Sequence, residues 1–218
     1  HRNSAERPER LEPGRVYPLE TELRFTSWTF PKGHRIRLSV NNAQWPMIWP
    51  TPHPMTTSLH LGGSHPTHVV LPVVPHEDRP KPRFLPPSED PRLAGHRVVS
   101  EGTSSGYSEV ATVERDVPNA ATRVVARNAT RNEYPWGTIR SDDEIVYWAQ
   151  DAHPEAARVA SEMKRTVSVG GRNLVFQGVL DFRSDADHFY YTYTRRLLEG
   201  DEVIRERTWK ETIPRDFQ

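Results

Sequence analysis

The 218-residue chain has no cysteine. This excludes a disulfide framework, a thiolate nucleophile and sulfur-held zinc, and it leaves the compartment open. Excess charge is also missing. Lys and Arg number 29, as do Asp and Glu, so nothing draws the chain to nucleic acid or to an anionic membrane surface. No apolar run approaches the ~20 residues of a membrane-spanning helix. The start, His1-Arg-Asn-Ser-Ala-Glu-Arg-Pro8, has no initiator Met and no basic-then-apolar signal segment. The expectation is a soluble piece of a longer protein, with no signal for localisation or oligomeric state. No internal repeat stands out.

Proline is abundant, with 20 residues, and it punctuates an alternating pattern. Pro13-Gly14 has the form of a type II turn. From Val16 to Trp28, Leu19, Thr21, Leu23 and Phe25 share one parity while Glu20, Glu22 and Arg24 share the other, the signature of a half-buried antiparallel strand. Pro31-Lys-Gly33 predicts a turn, and Ile36, Leu38 and Val40 predict the strand after it. Asn41 to Gly63 then reads as a loop of more than twenty residues, a length that is uncommon without a function. Trp45, Met47, Ile48 and Trp49 make that loop the expected contact surface of this half. Val69-Val-Leu-Pro-Val-Val74 predicts a short buried strand, at an edge or bulge because of Pro72.

Leu11-Glu-Pro-Gly-Arg-Val-Tyr17, Ser27-Trp-Thr-Phe-Pro-Lys-Gly-His-Arg-Ile-Arg-Leu-Ser-Val40, Trp45-Pro46 and His65-Pro-Thr-His-Val-Val-Leu-Pro-Val-Val74 together resemble the C-terminal β-sandwich domain of the Xaa-Pro dipeptidyl-peptidase and CocE/NonD serine hydrolases. The resemblance covers roughly residues 5 to 76. It implies a partial jelly-roll sandwich of the galactose-binding-like type, packed against an N-terminal α/β-hydrolase domain that carries the Ser, Asp and His of an acyl-transfer triad. All three triad residues would then precede the matched region, and no cofactor is implied. Trp45, Met47, Trp49 and His60 are expected to contact the hydrolase domain or to wall its substrate pocket. Where the commoner family pattern places a charged Asp-Arg-Asn run, this chain has apolar Met47-Ile-Trp-Pro50.

The Pro-rich run from Pro75 to Pro91 sets a boundary, because so many fixed φ angles prevent regular structure. The expected organisation is sandwich over residues 1–76, linker over 77–94, and a second antiparallel β domain over 95–218. Within the last, Arg97–Glu101 and Tyr107–Val113 predict a hairpin across Gly102-Thr-Ser-Ser-Gly106. The segment Asp142 to Glu162 fits helix or strand, with strand favoured by its neighbours. Arg165–Gly170, Leu174–Arg183, His188–Leu198 and Val203–Ile213 predict four meander strands joined at Gly170-Gly171, Ser184–Asp187 and Glu199–Asp201. The end of the chain, from Glu199 onward, bears a weaker resemblance to the C-terminal extension of some long CocE/NonD hydrolases.

Several residues invite a chemical reading. Gly102-Thr-Ser-Ser-Gly106 has the letters of a nucleophile elbow at Ser104, but an elbow needs a helix after the turn, and alternation follows instead. His53, His60, His65 and His68 crowd together, yet Pro66 opposes the helical spacing that a zinc pair uses. His34 reads as a packing residue. Asp142-Asp143-Glu144 and the Asp185/Asp187 pair read as solvated turn residues rather than acid/base pairs, and Asn128-Ala-Thr130 has sequon form only. Trp45, Trp49, Trp136 and Trp148 support a competing expectation, a stand-alone carbohydrate- or ligand-binding β-sandwich, although indoles are more often buried in a core or interface.

Overall fold

A computed structural model of the chain describes residues 4, 6–41, 44–75, 80–88, 90–99 and 111–216. The all-β expectation holds: one open antiparallel sheet of eight strands carries nearly all the regular structure. The strands are β1 (Arg97–Val99), β2 (Thr112–Asp116), β3 (Ala121–Tyr134), β4 (Gly137–Gln150), β5 (Arg158–Val169), β6 (Arg172–Ser184), β7 (His188–Glu199) and β8 (Glu202–Pro214). From β3 to β8 each strand pairs with the next, while β1 and β2 share the outer edge of β3. No helix among the described residues is long and apolar enough to cross a membrane.

The meander follows from its turns. Gly170 and Gly171, both at positive φ, form the two-residue link between β5 and β6, the conformation whose twist matches two right-twisted strands. Pro135-Trp136 is the two-residue link between β3 and β4, in a register that places Tyr134 opposite Gly137. At Gly137 an added Cβ would sit 2.0 Å from the Ser168 carbonyl oxygen of β5. Backbone cannot yield that distance while the β4–β5 ladder holds. Gly137→Ala is therefore expected to destabilise the chain by about 3 kcal/mol or more, read as a fall in the urea midpoint, whereas a neutral outcome would contradict this close approach.

The sheet's two faces differ. Val124, Tyr147, Val159, Phe182 and Tyr191 lie in one row across β3 to β7, followed by Ala126, Ile145, Ser161, Leu180 and Tyr193. This apolar face includes Gly178, where an added Cβ would meet the Tyr193 hydroxyl at 2.9 Å. The opposite face is charged and laced with cross-strand pairs, among them Arg127 with Glu144 at 2.5 Å and Arg123 with Glu114 at 2.8 Å.

Three expected strands do not form. Over 16–28, 36–40 and 69–74 the chain carries no ladder, and Leu19, Phe25 and Trp28 are exposed. Alternation prepares a face for burial, but a strand also needs a neighbour for its N–H and C=O groups. None stands beside these segments among the described residues. The two turns that punctuate them are present: Arg15 N donates to Glu12 O with Gly14 at φ 78°, and His34 N donates to Pro31 O with Gly33 at φ 90°.

In the second half, the ambiguous segment after Pro154 is strand β5, preceded by a single 3-10 turn at Pro154–Ala156. The predicted hairpin is corrected: Arg97–Val99 and Thr112–Asp116 both pair with β3 rather than with each other. Its Gly102–Gly106 turn, Ser104 included, lies outside the described residues. Asp142, Asp143 and Glu144 are not turn residues but the middle of β4, where each has a nitrogen partner: Arg140, Asn128 and Arg127.

Candidate functional site

The short turn Trp45–Pro50 of the proline-rich first half reaches the sheet through ring contacts and hydrogen bonds. Trp-Pro-Met-Ile-Trp-Pro has the composition for this: two indoles four residues apart, with prolines to limit the conformations between them. The Trp45–Pro46 bond is cis, and Ile48 N closes the turn onto Gln44 O at 2.9 Å. Both indoles lie against the apolar face of the sheet.

Trp49 sits edge-on to Phe182 of β6 and Phe189 of β7, with ring centroids 4.8 and 5.6 Å away. Trp45 stands edge-on to Trp49 at 5.1 Å and to Tyr147 of β4 at 6.0 Å. Such T-shaped contacts set the positive ring edge against a negative ring face. The Trp49 Nε1–H donates to Ser184 Oγ at 2.9 Å, and Ser184 Oγ donates in turn to the Glu155 carbonyl at 2.5 Å. The half-buried Trp49 indole and the buried Ser184 hydroxyl are thus both partnered.

One cation closes the arrangement. Arg215, just beyond β8, is 2 % exposed. Its Nη2 donates to Pro50 O at 2.5 Å, and its Nη1 to Asp185 O at 2.6 Å and Glu155 O at 3.3 Å. Its guanidinium also lies 4.9 Å from the centre of the Phe189 ring. Burial pushes the Arg215 pKa down, against the pull of Asp185 and Glu155. The planar fork suits this place, since a single side chain reaches carbonyls on three separate segments.

Asp185 holds the turn on which this rests. Its carboxylate accepts from the Tyr190 hydroxyl at 2.6 Å and from the backbone N–H groups of Asp187 and His188, each at 2.8 Å. These bonds, that from Tyr190 foremost, lower its pKa from 3.8 to about 2. The folded-state value is depressed, so the stabilisation is fully present above the unfolded pKa near 4 and is lost as the pH falls toward 2. Asp185→Asn is expected to lower stability by about 1–2 kcal/mol at pH 7, with the gap to the parent closing between about pH 4 and pH 2. Acid-unfolding curves that stay parallel throughout would contradict this assignment.

The sequence-predicted loop residues separate here. Trp45 and Trp49 pack on the sheet, Met47 points to solvent, and His60 is exposed, with its ring 6.3 Å from that of His65. Among the described residues no three His, Asp or Glu side chains converge in a way that could hold a metal ion. Trp136 is partly exposed and stacks on Tyr134 at 4.7 Å, while Trp148 belongs to the charged face. Sequence reasoning missed Arg215. A lone Arg after the last apolar strand residue carries no signal of burial, and its partners are backbone carbonyls far away in sequence.

Residues 1–77 match the family model described as the X-Pro dipeptidyl-peptidase C-terminal non-catalytic domain. The matched stretch includes the Trp45–Pro50 turn, whereas β1 to β8 lie beyond it. No curated protein and no solved structure matches the chain. Residues 1–77 are thus similar to the C-terminal non-catalytic domain of the X-Pro dipeptidyl-peptidases.

Proposed function

We propose that this chain is the non-catalytic C-terminal region of an Xaa-Pro dipeptidyl-peptidase-like or CocE/NonD serine hydrolase, supporting an α/β-hydrolase domain that precedes it in the parent protein. In this reading residues 1–76 contribute to a jelly-roll sandwich whose remaining strands belong to the parent, 77–94 link, and 95–218 form the second β unit. The parent forms an acyl-enzyme on an upstream serine, and the Trp45-to-His60 loop shapes its substrate pocket. The observation that carries the proposal is the family match over residues 1–77. The exposed alternating apolar residues of 16–40 agree with it, because a face so patterned is built to be covered. Trp45 and Trp49 add support by anchoring that loop to the sheet on one side, which leaves Met47 and His60 outward.

A fluorophosphonate probe tests the proposal. The 218-residue chain is expected to remain unlabelled, and the product of the longer reading frame is expected to label at a serine upstream of His1, within a Gly-x-Ser-x-Gly between strand and helix. Labelling of the short chain that disappears in Ser104→Ala would overturn the proposal, as would a signal peptide directly upstream of His1.

A further inference from the structure

The charged face carries a concave site that is independent of the hydrolase reading. One row crosses six strands: Glu114, Arg123, Trp148, Arg158, Arg183 and Tyr190, each directly opposite the next. In this row Arg158 and Arg183 are immediate cross-strand neighbours. Like charges so placed repel and destabilise the sheet, so the pair invites a functional reading.

Carboxylates answer only part of this charge. Arg123 is paired with Glu114 at 2.8 Å and Arg158 with Asp181 at 2.6 Å. Arg183 lies over the Tyr190 ring, 5.1 Å from its centre, and has no carboxylate partner among the described residues. Of the three guanidiniums, that of Arg183 is the one without a carboxylate partner of its own among the described residues. Around it lies an open cleft of about 470 Å³, whose lining includes Arg123, Val146, Trp148, Arg158, Ala160 and Arg183. That volume lies within the usual range for small-molecule sites, and the lining mixes apolar side chains with a few charged ones.

We propose that this cleft binds a small monocarboxylate carried on a flat ring, with the ring on Trp148 and the carboxylate on Arg183 opposite Arg158. One guanidinium without a carboxylate partner suits a single carboxylate. The planar guanidinium fork matches a carboxylate in two parallel hydrogen bonds. The indole face accepts either an aromatic ring or the apolar face of a sugar ring, so the shared chemistry is the ring carboxylate.

Titration of the full chain with benzoate and with glucuronate, followed by tryptophan fluorescence and calorimetry, tests the site and separates the two sources. At least one of them is expected to bind saturably, while benzamide and glucose bind at least about tenfold more weakly. Arg183→Gln should weaken the favoured anion about tenfold and leave the melting temperature of the free chain equal or higher, since it removes a like-charge pair. Arg183→Lys should fall between, and Trp148→Phe should abolish the fluorescence change. The proposal is overturned if neither anion saturates by about 10 mM, if the neutral analogues bind as well as the anions, or if Arg183→Gln leaves affinity unchanged.

Discussion

Arg215→Met is expected to destabilise the chain by about 3 kcal/mol at pH 7, the largest loss for any single charged residue in the C-terminal segment. Methionine keeps most of the apolar volume over Phe189, so the change isolates the hydrogen bonds. The Pro50 and Asp185 carbonyls would each lose the guanidinium donor that reaches them, at about 1–3 kcal/mol per buried group, whereas the Glu155 carbonyl keeps Ser184. Relief of the buried charge offsets part of this, which is why the value lies well below the sum. Arg205→Met, on the exposed strand β8, is expected to change stability by less than about 0.5 kcal/mol. Urea unfolding reads both, and limited proteolysis within 45–50 reads the release of the turn. A loss for Arg215→Met no larger than that for Arg205→Met would mean that Arg215 does not hold the turn.

Trp49→Ala is the second large effect, a loss of about 3 kcal/mol. It removes an indole that touches Phe182, Phe189 and Trp45, together with the Nε1–H bond to Ser184. Trp49 is half-buried, which sets the value at the low end of the range for deleting a large aromatic. Trp49→Phe separates the two contributions: the ring contacts largely persist and the lost hydrogen bond costs about 1 kcal/mol. Met47→Ala, in the same turn but facing solvent, should stay within about 0.5 kcal/mol. If Trp49→Ala and Met47→Ala proved equal by urea unfolding, the turn would not be docked through its indoles. Both Trp49→Ala and Arg215→Met act on one contact and share the partner Phe189, so their double mutant should lose less than the two single losses combined.

The late meander was legible because local chemistry and pattern agree there. Gly170-Gly171 can adopt the positive φ that a two-residue hairpin needs, and Phe189, Tyr191 and Tyr193 alternate on a face that is in fact apolar. Strands β3 and β4 were hidden by composition. Arg127 and Asn128 face Glu144 and Asp143 across a ladder, and polar residues that read as loop are satisfied only once the partner strand is beside them. Over 16–40 the alternation is plain in the sequence, yet no neighbouring strand completes it.

By itself the sequence determined the all-β class, the turns at Gly14, Gly33 and Gly170-Gly171, and the family of residues 1–77, since each depends on residues close together along the chain. Only the tertiary structure decided that Trp45 and Trp49 would meet Phe182 and Phe189, that Arg215 would be buried on carbonyls as far away as Pro50, and that three arginines would surround Trp148. Those contacts join residues more than a hundred positions apart or on separate strands. Register brings them together, and register follows from how the whole sheet pairs rather than from any one segment.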